Sequence, residues 1–221
     1  MGKFDYVYND DKIKEIYNKI TLFEDTDVNG IAYHNFLHVC NVTFMVEKLL
    51  NKLHYDQLFI EEAKIVSLLH DIGCLEGKKE HAKRSYDFAG EYLKENNIKL
   101  ENEELMLEAV KLHSDGFDTD NIVALVLILA DKLDIKYTRL TKRGYDVIGM
   151  RQLQYIKDVL VDIDSDSLKI NFLCDDDIDL VELEEYYFIK KIFNSIRAFS
   201  NKMNLVPNVL INYKKWDAFF D

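Results

Sequence analysis

Proline is almost missing from this chain. One stands at position 207 among 221 residues, with eight glycines and a single tryptophan. Proline and glycine are the strongest breakers of regular structure, so their scarcity excludes a loop-rich fold and points to long helices. Cysteine is scarce too. Cys40, Cys74 and Cys174 are an odd, widely spaced set. That excludes a disulfide framework and a short-spaced zinc finger, and makes a reducing cytoplasm the expected setting. Long apolar runs are lacking. The longest, Ile122 to Ala130, falls well short of the roughly 20 residues that span a bilayer. The opening MGKFDYVYNDDK has no apolar core of a signal peptide, so neither secretion nor a membrane is expected. Positive charge is in deficit, with a formal net charge of -12. This excludes wrapping of duplex nucleic acid by general electrostatics, although a local basic patch can still hold a small anion.

What is present is a sizeable apolar fraction, 48% of residues, enough to build a core. Asp11–Leu22 places Ile13, Ile16, Tyr17 and Ile20 on one helical face, and Glu24–Ile31 reads as a loop. His34–Leu53 reads as a long helix with Leu37, Asn41, Phe44, Val46 and Leu49 inward. Asp56–Ile72 is another, with Asp56 as N-cap and Gly73 as C-cap. Helices are also expected over Glu80–Asn96, Glu101–His113 and Asn121–Lys136, the last apolar all round and therefore buried. After Gln154 the period changes to two. Val159, Val161 and Ile163, then Leu168, Ile170 and Phe172, alternate with polar residues around Asp-Ser-Asp-Ser, which predicts a β-hairpin. Leu180–Met203 returns to helical spacing, and Val209, Ile211 and Tyr213 suggest a last strand pairing with the hairpin. The expected fold is mainly α, a helical bundle with a small β-element, in one domain over residues 1–221 with the appendage at about 155–221.

From Ile156 to Tyr186 eleven acidic residues face two lysines. A calcium loop starting at Asp162 fails, because Ser167 stands where glycine is needed and Leu173 where glutamate is needed. The segment reads as a solvated hairpin face.

Three clusters carry chemistry. His34 and His38, in YHNFLH, are four apart and on a helix would share a face. His70 and Asp71 close an apolar run. Asp131 sits inside the most apolar helix, where an isolated carboxylate is too costly unless paired or bound to a cation. Imidazole nitrogens with carboxylate oxygens are the donor mix of a transition-metal site.

The order His, then His-Asp, then Asp resembles the HD superfamily of metal-dependent phosphohydrolases, an all-helical fold. The stretches HDIG, EHAKRS, KLHSDG and LILADKLDIKYTRL resemble a group of small bacterial HD proteins, in which a hairpin and a helix also follow the last aspartate. The resemblance implies metal ligands at His38, His70, Asp71 and Asp131, with Asp71 bridging if two ions bind. YHNFLH is similar to the start of the cyclic-nucleotide phosphodiesterase site, which implies a proton-donor role for His34. Two further histidines, His81 and His113, fall in the slot that holds a second metal in multi-metal HD proteins; the bland alternative is a pair of helix-end histidines. His54 fits no slot, and Cys74 reads as a small buried hydrophobe.

Cationic islands stand out in an acidic chain: Lys78, Lys79, Lys83 and Arg84 around His81, and Lys136, Arg139, Lys142 and Arg143 after Asp131. Arg84, Lys132 and Arg139 are the candidate phosphate contacts, with solvated helix faces as the alternative for the rest. The expectation is therefore hydrolysis of a small phosphorylated substrate, a nucleotide by superfamily analogy. It would use one or two divalent transition-metal ions (Mn, Fe or Zn), with Asp71, His34 and Lys132 as the catalytic residues. A homodimer is the candidate assembly. Two rivals remain: an HD-fold di-iron oxygenase with the same ligand inventory, and a silent nucleotide- or metal-sensing module.

Overall fold

A computed structural model describes residues 2–27 and 30–216. Its helices are α1 (Lys3–Asn9), α2 (Asp11–Thr26), α3 (Phe36–Lys52), α4 (Gln57–Leu69), α5 (His81–Glu95), α6 (Glu103–Leu112), α7 (Ile122–Leu133), α8 (Leu180–Glu185) and α9 (Tyr187–Met203). Its strands are β1 (Ile156–Asp164), β2 (Ser167–Cys174), β3 (Val206–Ile211) and β4 (Lys214–Lys215). The mainly α architecture with a small sheet toward the C-terminal end is the one the sequence predicts. Among the described residues no helix is long and apolar enough to cross a membrane. The chain divides into two compact units, Met1–Phe23 with His34–Asp131, and Glu24–Tyr33 with Lys132–Asp221.

The first unit is helical. α1 was not legible in the apolar spacing; it is separated from α2 by Asp10, whose Oδ1 accepts from Lys12 N at 2.8 Å. Ile13, Tyr17 and Ile20 of α2 are fully buried, as expected. α3 differs from its sequence reading. Asn35, not His34, lies at its start, with Oδ1 accepting from His38 N at 2.9 Å. The buried face is His38, Val39, Val42, Val46, Leu49 and Leu50, while Leu37 and Phe44 point out, each about half exposed. Val46 and Leu49 are inward as expected, whereas Leu37 and Phe44 are not, and the buried face takes in His38 instead. Asp56 does cap α4, accepting from Phe59 N at 2.9 Å. Gly73 is not its C-cap. α4 ends at Leu69, and Gly73 sits within a 3₁₀ turn, Ile72–Glu76. There a Cβ would meet His81 O at 2.4 Å and Ser85 N at 2.7 Å, so glycine lets the start of α5 close onto the turn. Ser85 Oγ accepts from Gly73 N at 2.9 Å and fixes that approach.

The second unit is built on a sheet of order β1-β2-β3-β4. β1 and β2 form the expected antiparallel hairpin, and β3 adds to β2 in parallel through α8 and α9. The register aligns buried rows: Val159, Phe172 and Ile211; then Val161, Ile170 and Val209. Pro207 lies opposite Leu168, before the part of β3 that pairs with β4, so its missing N–H breaks no ladder on that side. Tyr213 is not in a strand. Asn212 and Tyr213 have φ of 47° and 65° and make the two-residue turn between β3 and β4. The expected helix Leu180–Met203 is broken at Tyr186, which is extended (φ -69°, ψ 119°). Beyond the break, Ile189, Ile192, Phe193, Ile196 and Phe199 of α9 are buried. Trp216 stacks edge-on to Phe172 and Phe193 and donates from Nε1 to Glu184 at 2.7 Å.

Candidate metal centre

The site lies in the first unit. α3 contributes His38, the end of α4 contributes His70 and Asp71, and α7 contributes Asp131. The donor atoms of these four buried residues all lie within 4.8 Å of one another. His38 Nε2 is 3.2 Å from both Asp71 Oδ2 and Asp131 Oδ1. His70 Nε2 is 3.2 Å from Asp71 Oδ2 and 3.9 Å from Asp131 Oδ1. On the other side of the same carboxylate, Asp71 Oδ1 is 3.3 Å from His113 Nε2 and 3.4 Å from His81 Nε2. The two oxygens of Asp71 thus face two different groups of nitrogens.

Local structure aims each ring. His70 Nδ1 donates to Ser67 O, His81 Nδ1 to Lys78 O and His113 Nδ1 to Val110 O, all at 2.7 Å and all three residues back along the chain. A carbonyl only accepts, so each Nδ1 carries the ring proton. In the neutral ring each Nε2 then keeps its lone pair, the tautomer that binds a metal. His70 and His113 each follow the last residue of a helix, and each ring reaches back to the carbonyl three residues earlier; Ser67 O also accepts from His70 N at 3.5 Å.

These lone pairs converge. His81 Nε2 and His113 Nε2 face each other at 2.9 Å, and neither can donate to the other when both protons sit on Nδ1. Ser114 Oγ lies 3.3 and 3.5 Å from the two nitrogens, but it has one proton. In the first group, His70 Nε2 and Asp71 Oδ2 are buried with no hydrogen-bond partner. A buried polar atom left this way is costly unless a ligand satisfies it. By contrast Glu62, equally buried in the same unit, accepts from the backbone N–H groups of Glu101 and Asn102 at the start of α6. Its charge is satisfied by the fold, whereas Asp71 is surrounded by imidazoles.

The proton affinities tell the same story. Burial opposes ionisation of Asp71, but the charges on His70 and His34 and the contacts with His113 and His38 hold its carboxyl well below the usual range. Burial also disfavours a charged His70, yet the Asp71 and Asp131 carboxylates push its pKa up to about 10. The carboxylate pair therefore demands positive charge at its centre, which a divalent ion can supply in place of a proton. Burial pulls His113 the other way, below its usual value, toward the neutral ring that a metal requires. The donors present fit one ion between His38, His70, Asp71 and Asp131, and a second against Asp71 Oδ1, His81 and His113.

His34 lies outside the helix, two residues before α3, and so does not share a helical face with His38. Its ring is nevertheless 5.9 Å from that of His38, edge-on, and it is partly exposed. His54 is exposed in the turn after α3, with φ 61°. Arg84 is engaged by its own loop: Nε donates to Gly73 O at 2.9 Å, Nη1 to Lys79 O at 2.7 Å, and Nη2 to Gly77 O. That guanidinium ties down the turn between Asp71 and His81. Among the other cations, Lys83 pairs with Asp87 and Lys136 with Asp158.

In the second unit Lys132 is buried and sits 5.9 Å from the centre of the Phe188 ring. Arg139 is buried as well, and its Nη1 has no hydrogen-bond partner. The sequence reading did not single out Glu62, Ser114 or the three carbonyls that orient the imidazoles, and only the carbonyls follow a rule (three residues back at a helix end) that a sequence could suggest. A surface cavity of about 950 Å³ bordered by Tyr86 and residues 101–112 is lined by Glu101, Glu103, Glu104 and Glu108 and holds none of the metal donors.

Residues 35–136 match the family model of the HD domain. No curated protein matches the chain.

Proposed function

We propose that the chain, whose residues 35–136 match the HD domain, a family of generally metal-dependent phosphohydrolases, hydrolyses a small phosphate ester, with a nucleotide or other phosphorylated metabolite as substrate. The observation that carries this reading is the convergence of imidazole lone pairs on both oxygens of the buried Asp71 carboxylate. We assign His38, His70, Asp71 and Asp131 to one ion and Asp71, His81 and His113 to a second, with manganese, iron or zinc suited to such a donor set. Divalent ions held there supply Lewis acidity and make water a nucleophile at neutral pH.

The protein's own residues do the rest. The carbonyls of Ser67, Lys78 and Val110 hold three rings in the metal-binding tautomer and orientation. His34, partly exposed with its ring 5.9 Å from that of His38, is the proton donor to the leaving oxygen. Lys132 and Arg139, expected from the sequence as phosphate contacts, fall in the second unit and are not part of this assignment. Arg84 acts in this scheme through the turn it holds.

The test is elemental analysis of the purified protein together with a panel of phosphomonoesters and phosphodiesters. The expected result is two transition-metal ions per chain and turnover of at least one ester class. Replacing His81 and His113 together by Gln is expected to halve the metal content and cut turnover sharply, with partial recovery in added manganese. Oxygen uptake coupled to substrate loss, with no phosphate released, would replace this reading by the di-iron oxygenase one.

A further inference from the structure

Cys74 was read from the sequence as a small buried hydrophobe, and buried it is, 2% exposed. Its surroundings are not apolar. The residue lies in the 3₁₀ turn that follows Asp71, and its N–H donates to Asp71 O at 2.9 Å. In a 3₁₀ turn the side chains at i and i+3 eclipse, so the thiol is set over the Asp71 carboxylate. Its Sγ is 3.8 Å from Asp71 Oδ1, the oxygen that faces His81 and His113 and not the one that faces His38 and His70. The donor atoms of Asp71, Cys74 and His81 all lie within 4.8 Å of one another. For one ion, a sulfur at ~2.3 Å and an oxygen at ~2.0 Å in tetrahedral array would be about 3.5 Å apart.

We infer that Cys74 is a thiolate ligand of the second ion, beside Asp71 and His81, the two residues whose donor atoms lie with its sulfur within 4.8 Å of one another. This rests on the two-ion reading above and deepens it. The consequence is chemical. The ion between His38, His70, Asp71 and Asp131 sees only nitrogen and oxygen, whereas the second sees a soft donor that favours zinc or iron over manganese or magnesium. The two positions then differ in metal preference within one centre. Gly73, which lets α5 approach the turn, and Arg84, which holds its carbonyls, are what bring His81 to the thiol. The competing arrangement is an S–H donating to Asp71 Oδ1, in which sulfur never touches a metal.

Cobalt(II) distinguishes the two, because a thiolate bound to cobalt gives an intense near-ultraviolet charge-transfer band and a thiol hydrogen bond gives none. The full-length protein is stripped with chelator, titrated with cobalt(II), and followed by absorption and by metal content. The expected result is that the band grows with the second equivalent, persists in Cys40→Ser and Cys174→Ser, and is absent in Cys74→Ser. The second ion should also bind Cys74→Ser more weakly by more than the about 10–100-fold that loss of an outer-shell partner costs. Two cobalt ions bound with no charge-transfer band would overturn the Cys74 assignment and leave the two-ion centre standing. A single ion bound in wild type and variant alike would overturn both. If Cys74→Ser folds poorly, the wild-type band alone decides, with Cys40→Ser and Cys174→Ser assigning it by exclusion.

Discussion

Two sets of buried polar groups, one in each unit, are used in opposite ways. In the second unit they tie the chain to itself. Thr141 Oγ1 donates to Gly30 O at 2.7 Å, Gln152 Oε1 accepts from Asp179 N at 2.9 Å, and Asn171 Oδ1 accepts from Tyr213 N at 3.0 Å. Each bond holds a turn or a loop against regular structure. In the first unit the buried imidazoles and carboxylates turn toward one another, and backbone contacts serve only to aim them. A polar group satisfied by backbone stabilises a fold, whereas one aimed at other polar groups is stabilised by a ligand. The difference marks the first unit's set as the candidate metal donors without any reference to substrate.

The sharpest way to break that comparison is to remove the shared carboxylate. Asp71→Ala is expected to abolish metal binding and turnover, and His70→Ala to do the same, with far-UV circular dichroism nearly unchanged. A variant that kept full metal content after gel filtration would show that the imidazoles are aimed at each other for structural reasons.

The next effect separates metal binding from proton transfer. His34→Ala should keep its metal but lose roughly 10²–10⁴-fold in rate on esters with basic leaving groups. The loss on p-nitrophenyl phosphate should be much smaller, because that leaving group needs little help. Equal losses on both substrates would take the proton away from His34.

A core change in the second unit should do the reverse. Phe199 is fully buried on α9, and Phe199→Ala is expected to lower folding stability by about 3–5 kcal/mol. The chain's single tryptophan, Trp216, reports on that unit, so its fluorescence in a urea titration gives the shift in midpoint. Metal content per folded chain should stay at the wild-type level, since no donor has been touched. A fall in metal content of the folded fraction would contradict the assignment of every donor to the first unit.

The smallest effect concerns an ion pair at the start of α8. The Arg151 guanidinium hydrogen-bonded to Glu182, with help from Gly149 N, holds the Glu182 carboxyl down to about 2 against an ordinary value of 4.5. A carboxylate whose pKa is depressed by folding binds fewer protons in the folded state. Its stabilisation is therefore complete above the unfolded value and is lost as pH falls from about 4.5 toward 2. Trp216 fluorescence should show acid unfolding beginning at higher pH, and with a shallower dependence in this window, in Glu182→Gln. An identical acid profile in the variant would mean that the pair does not persist in solution.

Much of the centre was legible in the chain itself. His38, His70, Asp71 and Asp131 stand beside apolar runs that must be buried, so their polarity needed an explanation before any fold was known. His81 and His113 were legible as helix-end residues, and the structure puts one at the first position of α5 and the other just past α6. The helix–strand boundary after Gln154 was legible because the period of apolar residues changes from that of a helix to two. Less was legible at single positions. Leu37 and Phe44 read as inward and point out, because the buried face of their helix runs through His38, Val39, Val42 and Val46. Tyr213 continues an alternating pattern yet turns, because two positive φ angles reverse the chain there.

The sequence by itself determined which residues had to be inside, since burial follows from apolar periodicity, a local property. It thereby determined the helical bundle, the hairpin and the four-residue signature of the candidate metal centre. Tertiary structure alone decided what those residues do to one another. That Asp71 presents one oxygen to His38 and His70 and the other to His81 and His113 depends on where α5 and α6 bring their ends. Arg84, a basic residue in a basic island, became a staple for backbone carbonyls only because the turn from Gly73 to Lys79 folds around it. Cys74 is apolar in any composition count, and acquires a donor's position only because a 3₁₀ turn, which carries no periodic signal in so short a stretch, sets it over a carboxylate.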